Sequence, residues 1–255
     1  MLYGEGTYAD TRVGDRPRLL ADVSRAAFAD AGRWFTAPAG VPDPANIFVA
    51  PDRVRSLMAR LKDTKAPVAP TEGGGAPGDL GSVSVVALDV FGQSVACGFT
   101  MNGVLGAGRI APETGIVLSA PADPAGRGAS ALGMMILRSG TQQQVEFLGA
   151  ATGGAVVPVT LAVAAVKSLE SDETGERILA APRLYNPARP DQVVIEDRPD
   201  TRAIADALRR GGRTVVTAPS LGRANILMCP RGFEGERSLC EVRADRRAFG
   251  LAQQN

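Results

Sequence analysis

A break in composition divides this chain into two stretches that must fold by different rules. Residues 64–81 carry the triplet Gly73-Gly74-Gly75, the prolines Pro67, Pro70 and Pro77, and almost nothing to bury. Such a segment cannot offset its ordering entropy by burial, so it is expected to be a linker or an exposed processing loop. Before it, apolar residues recur at helical spacing. Leu19, Leu20, Val23, Ala27, Phe28, Ala31 and Trp34 line one face over residues 16–35. A loop rich in Pro and Ala follows at 36–46, and a second helix opens at Pro51 with Val54, Leu57, Met58 and Leu61 on one side. After the break the pattern becomes that of strands. Ser82–Leu88 and Ser94–Met101 flank a turn at Val90-Phe91-Gly92-Gln93, and strands at 132–138 and 144–149 flank Ser139-Gly140-Thr141. The doublet Gly153-Gly154 opens a long apolar helix at 156–169. Helices at 174–181 and 200–210 and strands at 192–196, 213–217, 224–229 and 239–244 complete the reading. Strands in runs with helices segregated between them predict an α+β fold in layers, not a doubly wound sheet.

The residue counts exclude whole classes of chemistry. Among 255 residues there is no histidine. That removes Ser-His-Asp and Cys-His catalysis and the metal sites that lean on imidazole, so neither a metal nor a cofactor is expected. A hydrolase built from this chain needs another base: a lysine, a carboxylate or a freed α-amine. The net charge of +1 gives no field for nucleic acid or a membrane surface, and no apolar run is long enough to span a bilayer. Only Lys62, Lys65 and Lys167 stand among the 28 cationic residues, a bias read as codon usage. Cys97 lies in an apolar strand and reads as a small buried hydrophobe. Cys229 and Cys240 flank the turn-like Pro230–Gly235 segment. They could meet across a hairpin in an oxidising compartment or remain free thiols. The start of the chain shows no basic region followed by an apolar stretch, which suggests either a cytoplasmic protein or a sequence that begins inside a longer one.

Residues 82–118, SVSVVALDVFGQSVACGFTMNGVLGAGRIAPETGIVLS, carry a resemblance. Asp89, Gly92, Thr100-Met101-Asn102, Gly106, Gly108 and Thr114–Leu118 match landmarks at the opening of the γ-glutamyltransferase small subunit. Downstream, Gly153-Gly154 sits where that family has its glycine pair, Ala181-Pro182-Arg183 matches an Ala-Pro-Arg after a helix, and Arg243–Arg247 is similar to the closing Ala-Asp-Pro-Arg segment. Upstream, Arg25–Asp30 followed by Arg33 resembles the end of the large subunit. The resemblance covers about residues 16–250 in order. It divides the chain into residues 1–63, the end of a large-subunit-like helical segment; 64–81, the processing loop; and 82–255, a small-subunit-like domain. By this resemblance the sequence would lack the first part of the large subunit, with its carboxylate-binding arginine.

The resemblance implies an N-terminal-nucleophile hydrolase fold, an αββα sandwich truncated at its N-terminus. It also implies one self-cleavage, whose new N-terminal hydroxyl residue is the nucleophile with its own α-amine as base. An α-amine of pKa near about 8 accepts a proton at neutral pH, which suits a chain without histidine. The implied reaction moves a γ-glutamyl group from glutathione or a related amide to water or an amine. Counting back from Asp89 without gaps, the family's nucleophilic threonine falls on Ser82, with Ser84 as reserve; without the resemblance both would read as solvent-facing strand serines. Thr100 aligns with the threonine that hydrogen-bonds the nucleophile, and Asn102 with a substrate ligand. Gly153 and Gly154 align with the oxyanion-hole donors, where glycines let backbone N–H groups approach a reacting carbonyl. Ser130 falls on one of two substrate-binding serines, the other position being Ala129. Asp123 stands where an acidic segment binds the substrate α-amino group, although Pro121 and Pro124 nearby change its setting.

The expected partners are a small γ-glutamyl substrate and the missing large-subunit half, without which apolar strand surface would lie exposed. A full-length form with a signal peptide would be periplasmic. Two other readings remain at this stage. One is a non-catalytic or truncated member that keeps the fold without processing or turnover. The other is a Ser-Lys hydrolase using Lys167, a residue whose place near a helix end suits snorkelling or offsetting the helix dipole.

Overall fold

The computed structural model describes residues 1–2, 7–35, 47, 49–61, 81–121, 132–140, 143–235 and 239–254. The expected loop at 36–46 and the linker at 64–80 lie outside the described residues, as do Asp123, Ala129 and Ser130. Two compact units are present: Met1–Gly74 with Pro182–Pro219, and Gly75–Ala181 with Ser220–Asn255.

In the first unit, α1 (Arg16–Phe35) and α2 (Pro51–Arg60) have the starts and spacing that their apolar stripes dictate. Pro51 begins α2 where its missing N–H leaves no bond unmade. A three-stranded sheet follows, from β5 (Leu184–Tyr185), β6 (Val193–Glu196) and β7 (Val215–Ala218). The β5–β6 pair is antiparallel, while β6 and β7 are parallel. Between β6 and β7 runs α5 (Arg202–Arg210), whose Ala205 and Leu208 pack with Ala21, Leu184, Val193 and Ile195. The Ser24 hydroxyl accepts the Asn186 N–H at 2.9 Å, tying α1 to the end of β5. A two-residue strand such as β5 has no periodicity to read, which is why it is absent from the sequence expectation.

The second unit is layered. Strands β1 (Ser82–Leu88) and β2 (Ser94–Thr100) form a hairpin with continuous register from Ser82↔Thr100 to Leu88↔Ser94. Asp89 closes its turn by accepting the N–H groups of Phe91 and Gln93 at 2.9 and 2.8 Å. A four-stranded antiparallel sheet runs in the order β3 (Leu132–Arg138), β4 (Val145–Thr152), β8 (Arg223–Met228), β9 (Glu241–Ala244). One face packs on α3 (Val157–Glu170) and α4 (Gly175–Ala180), with Phe147, Ala151, Leu161, Ala164, Ile226 and Met228 in the shared core. On the other face Val145, Leu148 and Leu227 receive Val86 and Leu88 of β1. Strand β4 therefore has apolar layers on both sides, which explains its unbroken burial from Phe147 to Thr152. The result is α+β, with sheet upon sheet and helices beyond. A Cys229–Cys240 disulfide joins the end of β8 to the approach to β9. Cys97 is a free thiol, half-buried on β2.

β1 alternates as a strand with one buried face should. Ser84, Val86 and Leu88 point to the four-stranded sheet, whereas Val83, Val85 and Ala87 face outward. Their cross-strand partners are Phe99, Cys97 and Val95, so the outer face is apolar as well.

Candidate active site

Ser82 and Thr100 come together because of where they fall in the β1–β2 ladder. The Met101 N–H donates to the Gly81 carbonyl at 2.7 Å, and the Asp89 N–H donates to the Gln93 carbonyl at 3.0 Å. Odd-numbered residues of β1 are thus the hydrogen-bonded pairs, and even-numbered ones the non-hydrogen-bonded pairs, whose side chains approach more closely. Ser82 and Thr100 form such a close pair, and the Ser82 hydroxyl donates to Thr100 Oγ1 at 2.8 Å. Thr100 Oγ1 also accepts the Asn102 N–H at 3.0 Å.

Asn102 turns the chain. Its φ of 52° lies in the left-handed region, where an amide side chain is among the better-tolerated non-glycine choices. Its Nδ2 donates to the Ala120 carbonyl at 2.9 Å, and the Ala120 N–H donates to the Met101 carbonyl at 2.9 Å. Residues 102–120 therefore leave and return at one point, with Ile110 bridged to Val117 within the excursion. One donor of the expected substrate ligand is already engaged in closing this loop.

Two contacts hold β1 against the sheet below it. The Ser84 hydroxyl, on a residue only 7% exposed, donates to the Ala150 carbonyl at 2.9 Å. Asn225 Nδ2 donates to the Ser84 carbonyl at 2.6 Å and lies 3.3 Å from its Oγ. Ser84 is thus a buried anchor, and the solvent-facing reading of this serine does not hold. Since Val86 and Leu88 pack with Val145 and Leu148, and Ser84 lies at Ala150, β1 runs counter to β4, with its start toward the C-terminal end of β4. The same progression leads Ser82 toward Thr152 and the glycine pair.

Gly153 and Gly154 have φ of 120° and 82°, beyond the reach of most side-chain-bearing residues. A Cβ on Gly153 would also stand 2.5 Å from the Gly222 Cα. Gly154 begins a 3-10 turn that runs into α3, and the first N–H groups of a helix have no intrahelical acceptor. Such groups favour a developing negative charge. Lys167 pairs with Glu173 at 3.0 Å at the far end of α3, an ion-pair role that leaves it no part in a Ser-Lys arrangement with β1. Asn225 is the residue that sequence reasoning missed. The available signal was a lone amide in the apolar run Ala224–Cys229.

Among the described residues no group of three or more Cys, Asp or Glu side chains could hold a metal ion. None of their helices is long and apolar enough to cross a membrane.

The layered α+β unit, with a hydroxyl pair at the start of β1 and a glycine pair opening α3, fits an N-terminal-nucleophile hydrolase fold. The chain belongs to the gamma-glutamyltranspeptidase family, whose profile matches residues 5–253. Solved structures agree on the fold. A mutant of Helicobacter pylori gamma-glutamyltranspeptidase is 19% identical with a TM-score of 0.53, the match covering 65% of this chain and 99% of that one. Pseudomonas nitroreducens gamma-glutamyltranspeptidase complexed with L-DON is 18% identical with a TM-score of 0.54, covering 68% of this chain and 98% of the other. The Bacillus anthracis transpeptidase CapD is 18% identical with a TM-score of 0.54, covering 68% and 99%. No curated protein sequence matches the chain at a significant level.

Proposed function

We propose that this protein is a γ-glutamyl transferase or hydrolase that frees its own nucleophile, Ser82, by cutting the Gly81–Ser82 bond. The observation that carries the reading is the 2.8 Å hydroxyl pair of Ser82 and Thr100, immediately behind the Gly/Pro-rich stretch. Once freed, the Ser82 α-amine takes the Oγ proton as Oγ attacks the γ-carbonyl of the substrate. The N–H groups of Gly153 and Gly154 receive the developing oxyanion, the amide C–N bond breaks as the leaving amine takes the proton held by the α-amine, and water or a second amine then attacks the ester and frees Oγ. Thr100 orients Oγ. Asn102, Asp123 and Ser130 are the proposed contacts to the glutamyl carboxylate and amine, with glutathione or a related γ-glutamyl amide as donor. A large-subunit-like half completes the site, a role supported by the exposed apolar side chains Val83, Val85 and Phe99 on the outer face of the hairpin. The Cys229–Cys240 disulfide supports an oxidising compartment, as expected for an exported full-length form.

The test is an intact mass of the purified chain after incubation at neutral pH, beside Ser82→Ala, followed by release of p-nitroaniline from its γ-glutamyl derivative. Two fragments meeting at Gly81 and Ser82, absent from the variant, are expected. An uncut chain would sink the reading and favour a second one, a member that keeps the fold without turnover. Asn102, with an amide hydrogen already committed to Ala120, is the observation on that side.

A further inference from the structure

The peptide bond before Ser82 has hydrogen-bond surroundings of its own. Gly81 lies one step beyond the Ser82↔Thr100 pair, at a hydrogen-bonded position of the ladder. Its carbonyl oxygen accepts the Met101 N–H at 2.7 Å, the shortest of the bonds flanking the hairpin's open end. Met101 is held on both sides, since its own carbonyl accepts the Ala120 N–H at 2.9 Å. Its N–H is thereby fixed in direction by the closed 102–120 excursion. A Cβ on Gly81 would overlap the Gly103 carbonyl oxygen and carbon, which are main-chain atoms of that same excursion. Space alone thus demands a residue without a Cβ here.

We infer that the Met101 backbone N–H is the oxyanion donor for the self-cleavage step, and that Gly81 is required because only glycine lets the scissile carbonyl reach it. This rests on the reading that Ser82 frees itself. Ser82 Oγ adds to the Gly81 carbonyl carbon, and the negative charge gathers on the oxygen that Met101 N–H already holds. The bond from that carbon to the Ser82 nitrogen then breaks, and the proton lost by Oγ ends on the nitrogen as an amine. The resulting ester between Gly81 and Ser82 Oγ takes up one water molecule and breaks at its C–O bond. A Gly81 carboxylic acid and a free Ser82 hydroxyl remain. The donor is a main-chain group of the residue following Thr100, so one turn of chain serves both steps: Thr100 orients the nucleophile and Met101 holds the carbonyl it first attacks. The substrate of this first step is the chain itself.

Replacing the backbone amide at position 101 by an ester removes the N–H and leaves the side chain in place. Cleavage, followed by intact mass against time, is expected to slow by about 10²-fold. The same replacement at position 111 removes the Ala111–Ile116 bond, which touches neither Met101 nor the scissile carbonyl, and is expected to cut at the normal rate. Gly81→Ala is expected to remain uncut while keeping its circular dichroism spectrum. If Gly81→Ala fails to fold, the two ester proteins decide the matter. Normal cutting by the position-101 ester, or equal slowing by both esters, would overturn the donor role while leaving self-cleavage standing. An unaltered chain that does not cut would remove both.

Discussion

Asn225→Ala is the substitution whose cost the structure fixes most directly. Ser84 is a non-hydrogen-bonded residue of the β1–β2 ladder, so its carbonyl points away from β2 and has no ladder partner. Asn225 Nδ2 supplies that partner at 2.6 Å. Truncation leaves a buried carbonyl unsatisfied, a loss of about 1–3 kcal/mol. For a protein of this size that lowers Tm by roughly 2–4 °C per kcal/mol. Ser84→Ala removes the hydroxyl bond to Ala150 and costs about 1 kcal/mol, but cannot remove the main-chain carbonyl. A double-mutant cycle in urea should therefore return a coupling energy well below the cost of Asn225→Ala alone. A variant within about 0.5 kcal/mol of the parent would refute this account, as would a cycle in which Ser84→Ala abolishes the effect of Asn225→Ala. Because Ser84 lies two residues from Ser82, the same variant should also slow self-cleavage.

Asp245 is 2% exposed, accepts the N–H groups of Ala224 and Arg247 at 3.0 Å each and pairs with the Arg247 guanidinium, which also binds the Leu179 and Ala181 carbonyls. Asp245→Ala strands that cation and is expected to cost about 3–5 kcal/mol in chemical denaturation. Reducing the Cys229–Cys240 bond opens a loop of sequence separation 11 and should lower unfolding stability by about 2–3 kcal/mol, read as a drop in Tm with reductant. Burial raises the Asp22 pKa above its ordinary 3.8, against the opposing pull of Arg213, Arg18 and Arg25. A raised carboxyl pKa gives stability that is present below pH 3.8 and lost as pH rises through the folded value. The Asp22 carboxyl should accordingly show an NMR midpoint above 3.8, and Asp22→Asn should flatten the fall in stability across that window.

The amphipathic stripes of α1 and α2, the valine-rich hairpin from Ser82 and the apolar helix after Gly153-Gly154 were all legible in the sequence, because each is set by local periodicity and by turn residues at its ends. Family membership was legible too: the resemblance read over about residues 16–250 agrees with the family profile that matches residues 5–253. Tertiary structure alone decided the rest. Ser82 and Ser84 share one face of β1, and the β1–β2 register with the sheet beneath it sets the first beside Thr100 and buries the second. The contact of Asn225 with Ser84 spans 141 residues of sequence, a separation no local pattern encodes. Likewise the pairing of Cys229 with Cys240 needed the β8–β9 register before it could be chosen over two free thiols. Local chemistry thus chose the elements, and long-range packing chose which of their atoms meet.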